Sequence, residues 1–244
     1  MAGTSSEWYA RSFEKFLAHT DQTRVFVAEL SRYIAHYRTH SILDIGAGNG
    51  ALAVPISRRV EKYVAVERNR DHATRLRDCG VAVIEGSFPL PLTGSYDLVV
   101  MSHVISYEES NYGDLISAAS ERVAPGGCML IVAHRGGAGS DWGRLLTRIG
   151  MDRFIHSPAT IYDEIVSMLK GIGTVEAREV TTTVMADNAQ DMLEVLAFTA
   201  PSGHYQEFMK NGNELAGILN SEYRTDTGYS FPFCNNFVSI HGIR

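Results

Sequence analysis

The chain has 244 residues, 45% of them hydrophobic and 20% charged, which is typical of a folded globular protein. Its formal net charge of −6 at pH 7 argues against binding to nucleic acid or to an anionic membrane. The three cysteines form no CxxC pair, and the N-terminus has no basic segment followed by an apolar run. We therefore expect a cytoplasmic protein with no nucleic-acid and no membrane partner.

The first 135 residues predict two helices followed by alternating strands and helices. Apolar residues at helical spacing place the two helices at 6–19 and 22–38. The predicted strands are 41–45, 62–66, 81–84, 96–101 and 127–134, and the helices between them are 51–59, 69–78 and 112–123. Strands separated by helices of this length indicate βαβ units and a parallel sheet.

The pattern after residue 135 is less regular. We predict helices at 140–149 and 158–170, a β-rich segment at 174–185, helical residues at 188–220 and a last strand at 233–240. The interval of about 45 residues between the last two strands is too long for a hairpin loop. It indicates an insertion, at about 187–232, that covers a substrate.

The most informative segment is a glycine-rich turn after the first predicted strand. That strand contains Asp44 and runs into Gly46-Ala-Gly-Asn-Gly50, where glycine allows a sharp turn and a close approach of a ligand. The next strand ends in Glu67, 21 residues after Gly46, where a carboxylate can bind ribose hydroxyls. Two acids and no base surround this turn, so a phosphate ester is not the expected ligand.

Three interpretations of the turn remain open. The pattern G-x-G-x-x-[GA] is also found in dinucleotide-binding dehydrogenases, although Asp44 would point toward their pyrophosphate. A strand-to-helix turn without any ligand is the second possibility. The third is S-adenosylmethionine, a cationic nucleoside without phosphate that suits two acids. His72, at the start of the following helix, is a candidate contact for ribose or adenine, or a surface histidine.

Residues 38–135 resemble the class I S-adenosylmethionine-dependent methyltransferases. The resemblance rests on five segments in order: LDIGAGNG, VAVERN, EGSFPLPL, YDLVVMSHVISY and APGGCMLIVAHR. It implies an α/β, Rossmann-like fold with a mostly parallel seven-stranded sheet and helices on both faces. We divide the chain into an N-terminal helical cap over the active site (1–38), the cofactor-binding core (39–135) and the remaining strands with a helical acceptor-binding insertion (136–244).

The resemblance also implies a cofactor site for S-adenosylmethionine. Residues 46–48 would line methionine and ribose, and Glu67 would bind the ribose. Residues 86–88 would border adenine, and Ser102 with His103 would lie below the sulfonium. With His72 added from its position, the predicted site consists of Asp44, Gly46, Ala47, Gly48, Glu67, Arg68, His72, Gly86, Ser87, Phe88, Ser102 and His103. Ser87 stands where the family usually has an aspartate, and its hydroxyl can still hydrogen-bond adenine.

The flanking segments resemble the histamine N-methyltransferase family, at residues 9–22, 139–146 and 235–240. The resemblance implies that Asp21, His103 and Asn236 hold the acceptor amine. Aromatic walls would come from Tyr9 and Tyr107, with Phe13 and Trp142 as further predicted contacts. His103 replaces a glutamine of that family and Ser106 replaces a tyrosine, so the acceptor pocket is expected to differ.

The predicted reaction is methyl transfer to a nitrogen of a small molecule. Asp21 would attract the acceptor, Asn236 would orient it, and His103 would accept its proton. Packing or capping roles for these residues stay open, as do O-methylation of a natural product and a non-catalytic adenosyl-ligand binder. We expect no metal, because His103, His134 and the nearby acids match no zinc spacing.

Overall fold

The computed structural model describes residues 6–105, 112–134, 137, 139–154, 165–200 and 204–243, with the backbone alone at 6–10 and at 154. The first part of the helix predicted at 158–170 lies outside the described residues, and so does Tyr107.

The strands follow the predicted order, with one short addition. They are β1 (Ser41–Ile45), β2 (Lys62–Glu67), β3 (Ala82–Glu85), β4 (Tyr96–Ser102), β5 (Val123–His134), β6 (Thr174–Ala186), β7 (Arg224–Thr225) and β8 (Gly228–His241). β5 begins four residues before its predicted start at 127, and β8 begins five before its predicted start at 233.

The helices between the strands also match the predicted series. They are α1 (Ser6–His19), α2 (Gln22–Tyr37), α3 (Ala53–Ser57), α4 (Arg70–Asp78), α5 (Tyr112–Ser120), α6 (Asp141–Arg148), α7 (165–170), α8 (Ala189–Phe198), α9 (Tyr205–Lys210) and α10 (Gly212–Ile218). In these residues no helix has the length and hydrophobicity that a bilayer crossing requires.

The strands form one mixed sheet in the order β3-β2-β1-β4-β5-β8-β6, with β7 paired to β8. The four pairings among β3, β2, β1, β4 and β5 are parallel, and β8 runs antiparallel to β5. β1 lies inside this sheet, and its residues 42–45 are buried, as expected of a strand covered on both faces. The parallel βαβ core and the helices on both faces follow the prediction.

The chain divides into two compact units. The sheet unit comprises residues 24–134, 160–180 and 235–244, and the helical unit comprises 1–23, 135–159 and 181–234. In the sheet unit, one apolar cluster holds Phe26 of α2, Ile56 of α3 and Leu76 of α4 against one sheet face. A second cluster holds Leu115 of α5 and Leu169 of α7 against the opposite face. We call these the α2 face and the α5 face.

The helical unit has its own core, which is rich in aromatic side chains. Trp142 of α6 packs 5.6 Å from Phe208, 5.8 Å from Phe233 and 6.5 Å from Phe231, measured between ring centroids. Phe16 of α1 joins the same cluster.

Candidate functional site

The glycine-rich turn after β1 is built on left-handed backbone conformations. Gly46, Gly48 and Gly50 have φ angles of +76°, +59° and +87°. The N–H of Gly46 donates to the Val66 carbonyl at 2.8 Å, which ties the turn to the neighbouring strand. A Cβ atom on Gly46 would lie 2.6 Å from Val104 Cγ2, whereas one on Gly48 would meet nothing within 4 Å. Gly46 is thus closely packed, and space is open beside Gly48.

This difference predicts unequal effects of two alanine substitutions. Gly46→Ala adds a steric clash to the strain of a positive φ, while Gly48→Ala adds the strain alone. We expect Gly46→Ala to lower the Tm by about 5 °C more than Gly48→Ala, in thermal unfolding followed by circular dichroism. Combining Gly46→Ala with Val104→Ala should restore part of the loss. Equal Tm values for the two single variants would contradict this account of the turn.

Glu67 connects the end of β2 to the same turn. Its side chain is 6% exposed. One carboxylate oxygen accepts the Gly48 N–H at 2.7 Å, and the other accepts the Asn69 N–H at 2.7 Å. A carboxylate has about four acceptor positions, so these two bonds leave room for hydroxyl donors of a ligand. Glu67 therefore orders the turn and retains binding capacity.

Asp44 is buried, with 5% of its surface exposed, and hydrogen-bonds to a neighbouring strand. Its Oδ2 accepts the hydroxyl of Tyr63 at 2.5 Å. Burial raises the pKa of Asp44 to about 6, although the Tyr63 hydrogen bond opposes that shift. Asp44 is thus largely ionised at neutral pH. Because it is buried and bonded to Tyr63, we assign it a charge effect rather than a direct ligand contact.

The predicted adenine segment follows β3. The N–H of Gly86 donates to the Glu67 carbonyl at 3.0 Å. Ser87 is exposed, and Phe88 is half-buried against the cluster on the α5 face. On the other side of Glu67, Arg68 is exposed, and the backbone of His72 donates to the capping side chain of Asn69 at 3.1 Å.

His103 lies immediately after β4 in an unusual backbone conformation. Its φ of +55° is in the left-handed region, which non-glycine residues rarely adopt and which often marks functional sites. Its N–H donates to the Val132 carbonyl at 2.8 Å, and its imidazole stacks on Phe26, with ring centroids 5.7 Å apart. The residue as a whole is exposed, but its ring is covered on one side by Phe26, and desolvation lowers the pKa of His103 to about 4. His103 is consequently a neutral imidazole at pH 7.

A second histidine, His134, ends β5 near His103. His134 lies two residues after Val132, which packs on the α2 face. Residues two apart in a strand project to the same face, so His134 also faces α2. Desolvation, and next the charge that His103 would carry, lower the pKa of His134 to about 3. Two imidazoles that interact in this way are both neutral at physiological pH.

Asn235, and not the predicted Asn236, lies on the sheet face of His134. In the antiparallel β5–β8 register Asn235 is opposite His134, and Asn236 is opposite Ala133. Adjacent residues of a strand project to opposite faces, and Phe237 packs on the α2 face. Asn235 is therefore on that face, where its amide donates to the Val180 carbonyl at 3.4 Å. The structure does not bring Asn236 to the face of His103.

Three of the other predicted acceptor contacts, Asp21, Phe13 and Trp142, belong to the helical unit. The Asp21 carboxylate accepts the Thr183 N–H at 2.7 Å, a bond that ties the residues before α2 to β6. Phe13 packs on Phe198, with centroids 5.8 Å apart. Trp142 is 5% exposed, within the aromatic core. Packing accounts for Trp142, and we leave it out of the proposed acceptor site. The side chains of Tyr9 and Tyr107 lie outside the described residues.

Together these residues suit a cationic nucleoside without phosphate. Two acids, Asp44 and Glu67, lie at the carboxyl ends of adjacent parallel strands. Glu67 offers acceptors for ribose hydroxyls, Asp44 offers negative charge, and the backbone beside Gly48 has open space. An adenosyl ligand with a positive sulfonium fits this set, whereas a pyrophosphate would be repelled by it.

Comparisons with known proteins agree with this chemistry. Residues 16–174 match the family described as a methyltransferase domain. A match of 29% identity over 152 residues links the chain to the probable non-canonical nonribosomal peptide synthetase CymA of Salinispora arenicola. It covers 55% of this chain and 2% of that protein, so the chain spans a small fraction of this curated relative.

Solved structures show the same fold at low identity. A putative methyltransferase from Bacillus halodurans has a TM-score of 0.59 and 16% identity, over 89% of this chain and 99% of that one. The plantazolicin methyltransferase BpumL, in complex with a triazolic desmethylPZN analog and SAH, has a TM-score of 0.59 and 12% identity, over 98% of this chain and 92% of that one. Since the family match spans well over half of the sequence and includes the glycine turn and Glu67, the chain belongs to the methyltransferase-domain family and is an S-adenosylmethionine-dependent methyltransferase.

Proposed function

We propose that this enzyme transfers the methyl group to a nitrogen of a small molecule, of the amine or imidazole type. The observation that carries this proposal is His103, a neutral imidazole held in a left-handed conformation at the end of β4. The predicted site places it below the sulfonium. There it can accept a hydrogen bond from an N–H of the acceptor and so align the nitrogen lone pair.

The cofactor supplies an activated methyl group, and the protein supplies its position. Glu67 would hold the ribose hydroxyls, the backbone of Gly46 to Gly48 would contact the methionine part, and residues 86–88 would border adenine. Asp44 would favour the positive charge of the cofactor over the neutral product. Each of these roles is a proposal that rests on the contacts described above.

The low pKa of His103 limits which acceptors suit this site. An alkylammonium has no lone pair, and an imidazole with a pKa of about 4 is too weak a base to deprotonate it readily. A nitrogen that is already neutral near pH 7, as in an imidazole or an aromatic amine, avoids this step. We therefore favour an imidazole-type acceptor, in line with the resemblance of the flanking segments to histamine N-methyltransferase. The role of Asp21 in acceptor recognition remains a prediction from the sequence.

A natural-product acceptor is the second candidate. The names of two similar proteins, a nonribosomal peptide synthetase and a plantazolicin methyltransferase, support it. A neutral His103 can accept a hydrogen bond from a hydroxyl as well as from a nitrogen, so O-methylation is the chemical alternative.

Turnover measurements with substituted enzymes test the proposal. With methyl-labelled S-adenosylmethionine and a panel of imidazole, histamine, aniline and phenol, we expect methylated nitrogen as the main product. His103→Ala should lower kcat by about 10²-fold, at the lower end of general-base contributions. With aniline and saturating S-adenosylmethionine, kcat should stay level between about pH 6 and 8, because His103 remains neutral there.

His103→Gln provides the matched control, because its amide oxygen can still accept a hydrogen bond but cannot titrate. It should retain more activity than His103→Ala. Methylation of phenol oxygen alone, or unchanged kcat in both variants, would rule out the assignment.

A further inference from the structure

The residue after His103 packs directly against the glycine turn of the cofactor site. Val104 Cγ2 occupies the place where a side chain on Gly46 would begin, 2.6 Å from the ideal Cβ position. Val104 is half-buried and packs with the cluster on the α5 face. The absence of a side chain at Gly46 is therefore what lets the chain after β4 lie over the turn after β1.

His103 and Val104 pack on opposite sheet faces at the left-handed turn. His103 stacks on Phe26, which belongs to the cluster on the α2 face. Val104 packs with the cluster on the α5 face. A positive φ in a non-glycine residue is strained, so surrounding contacts must hold it in place. The contact of Val104 with Gly46 and the stacking on Phe26 are two such contacts, one on each side of the turn.

The geometry points to Val104 as a positioning residue for the methyl-transfer reaction. By packing on Gly46, it fixes the backbone of His103 relative to the turn that receives the cofactor. The inference rests on the proposed role of His103. It deepens that role, since it names the apolar contacts on both sides of the left-handed turn that help to align the imidazole.

This arrangement separates alignment from cofactor binding. The turn at Gly46 is also held by its hydrogen bond to the Val66 carbonyl at 2.8 Å, which does not involve Val104. Loss of the Val104 methyl groups should therefore leave cofactor affinity nearly unchanged while it releases His103. A misplacement of about 1 Å at a reacting group costs on the order of 10²-fold in rate, so a small release is measurable.

The test compares Val104→Ala, Val104→Thr and Val123→Ala. Threonine keeps the branched shape of valine. Val123 is half-buried beside the same cluster, but it begins β5, whose other end carries His134. The assay uses the panel acceptor that the wild type methylates fastest. With it, we expect Val104→Ala to lower kcat by about tenfold or more. The Kd for S-adenosylhomocysteine should change by less than about threefold. Val104→Thr should recover most of kcat, and Val123→Ala should lower the Tm alone.

A double-variant cycle with His103→Ala distinguishes this inference from the function on which it rests. If Val104 acts by aligning His103, Val104→Ala should have little further effect on kcat in the His103→Ala background. Unchanged kcat in His103→Ala alone would refute the role of His103. A loss in His103→Ala with wild-type kcat in Val104→Ala would refute the inference about Val104, as would a parallel change of kcat and Kd. NMR provides a second test that needs no acceptor. The imidazole resonance of His103 should broaden or shift in Val104→Ala if the ring loses its fixed position.

Discussion

Asp44→Asn should weaken the binding of S-adenosylmethionine while it stabilises the protein without ligand. Burial raises the pKa of this carboxylate to about 6 from its ordinary value of 3.8, so its ionisation at neutral pH opposes folding. At about 1.4 kcal/mol per pKa unit, the variant can gain up to about 3 kcal/mol at pH 7, and asparagine can still accept the Tyr63 hydrogen bond. The lost negative charge should weaken cofactor binding by about tenfold, which corresponds to about 1.4 kcal/mol.

The sign of the pH dependence follows from the raised pKa. Between about pH 4 and 6 the folded protein binds more protons at Asp44 than the unfolded chain does, so the stability contributed by this group falls as pH rises. The stability difference between variant and wild type should accordingly grow across this interval and level off near pH 7. Chemical denaturation at a series of pH values measures it.

Two comparisons make this prediction specific. Calorimetry should show a larger loss for S-adenosylmethionine than for S-adenosylhomocysteine, because the product lacks the sulfonium charge. Tyr63→Phe removes the hydrogen bond that lowers the pKa of Asp44, so the pH at which cofactor affinity declines should move upward. If Asp44→Asn bound both ligands as tightly as the wild type, a charge effect of Asp44 would be excluded.

The fold was predictable from sequence where local pattern and long-range packing agree. The apolar residues of β1, β2 and β4 lie on inner strands of the sheet, so burial itself produces the pattern from which they were predicted. The helical residues predicted at 188–220 instead divide into α8, α9 and α10, because hydrophobic periodicity does not specify where a helix breaks. The two compact units combine segments that are distant in sequence, a property of tertiary contacts that no local pattern contains.

Site residues were predictable where one residue type is required by the backbone. Gly46 is required by its φ angle and by the proximity of Val104, and Glu67 by its position at a strand end. The placement of Asn235 on the face of His134 was not predictable, because an Asn-Asn pair offers two candidates and the choice depends on strand parity. Phe237, two residues later and strongly apolar, was the available signal. That Tyr63 lies on the same strand face as Glu67 follows from the alternation of β2. Its hydrogen bond to Asp44 was not predictable, because it depends on the register between β1 and β2.

Glu67→Gln should cause the largest loss of cofactor affinity. The carboxylate accepts two backbone N–H groups, and the amide can accept only one of them, because its NH₂ group is a donor. Charge-assisted hydrogen bonds contribute about 1.5 to 3 kcal/mol each. The substitution should weaken one such hydrogen bond to a ribose hydroxyl and disturb the bond to the Gly48 N–H. Together these losses should raise the Kd for S-adenosylhomocysteine by about 10²-fold. Glu85→Gln is the control: Glu85 is opposite Glu67 in the β2–β3 register, and it is exposed and paired with Arg77.

The contribution of the ribose can be separated from that of the turn by changing the ligand as well as the protein. Wild-type enzyme should bind 5′-methylthioadenosine more tightly than its 2′,3′-dideoxy analogue, and in Glu67→Gln this preference should be strongly reduced. If the variant instead bound both ligands more weakly by the same factor, Glu67 would act only by holding the Gly48 and Asn69 amides. Both roles draw on the same carboxylate oxygens. The bonds to Gly48 and Asn69 order the turn without a ligand, and we propose that the acceptor positions left over on Glu67 recognise the ribose.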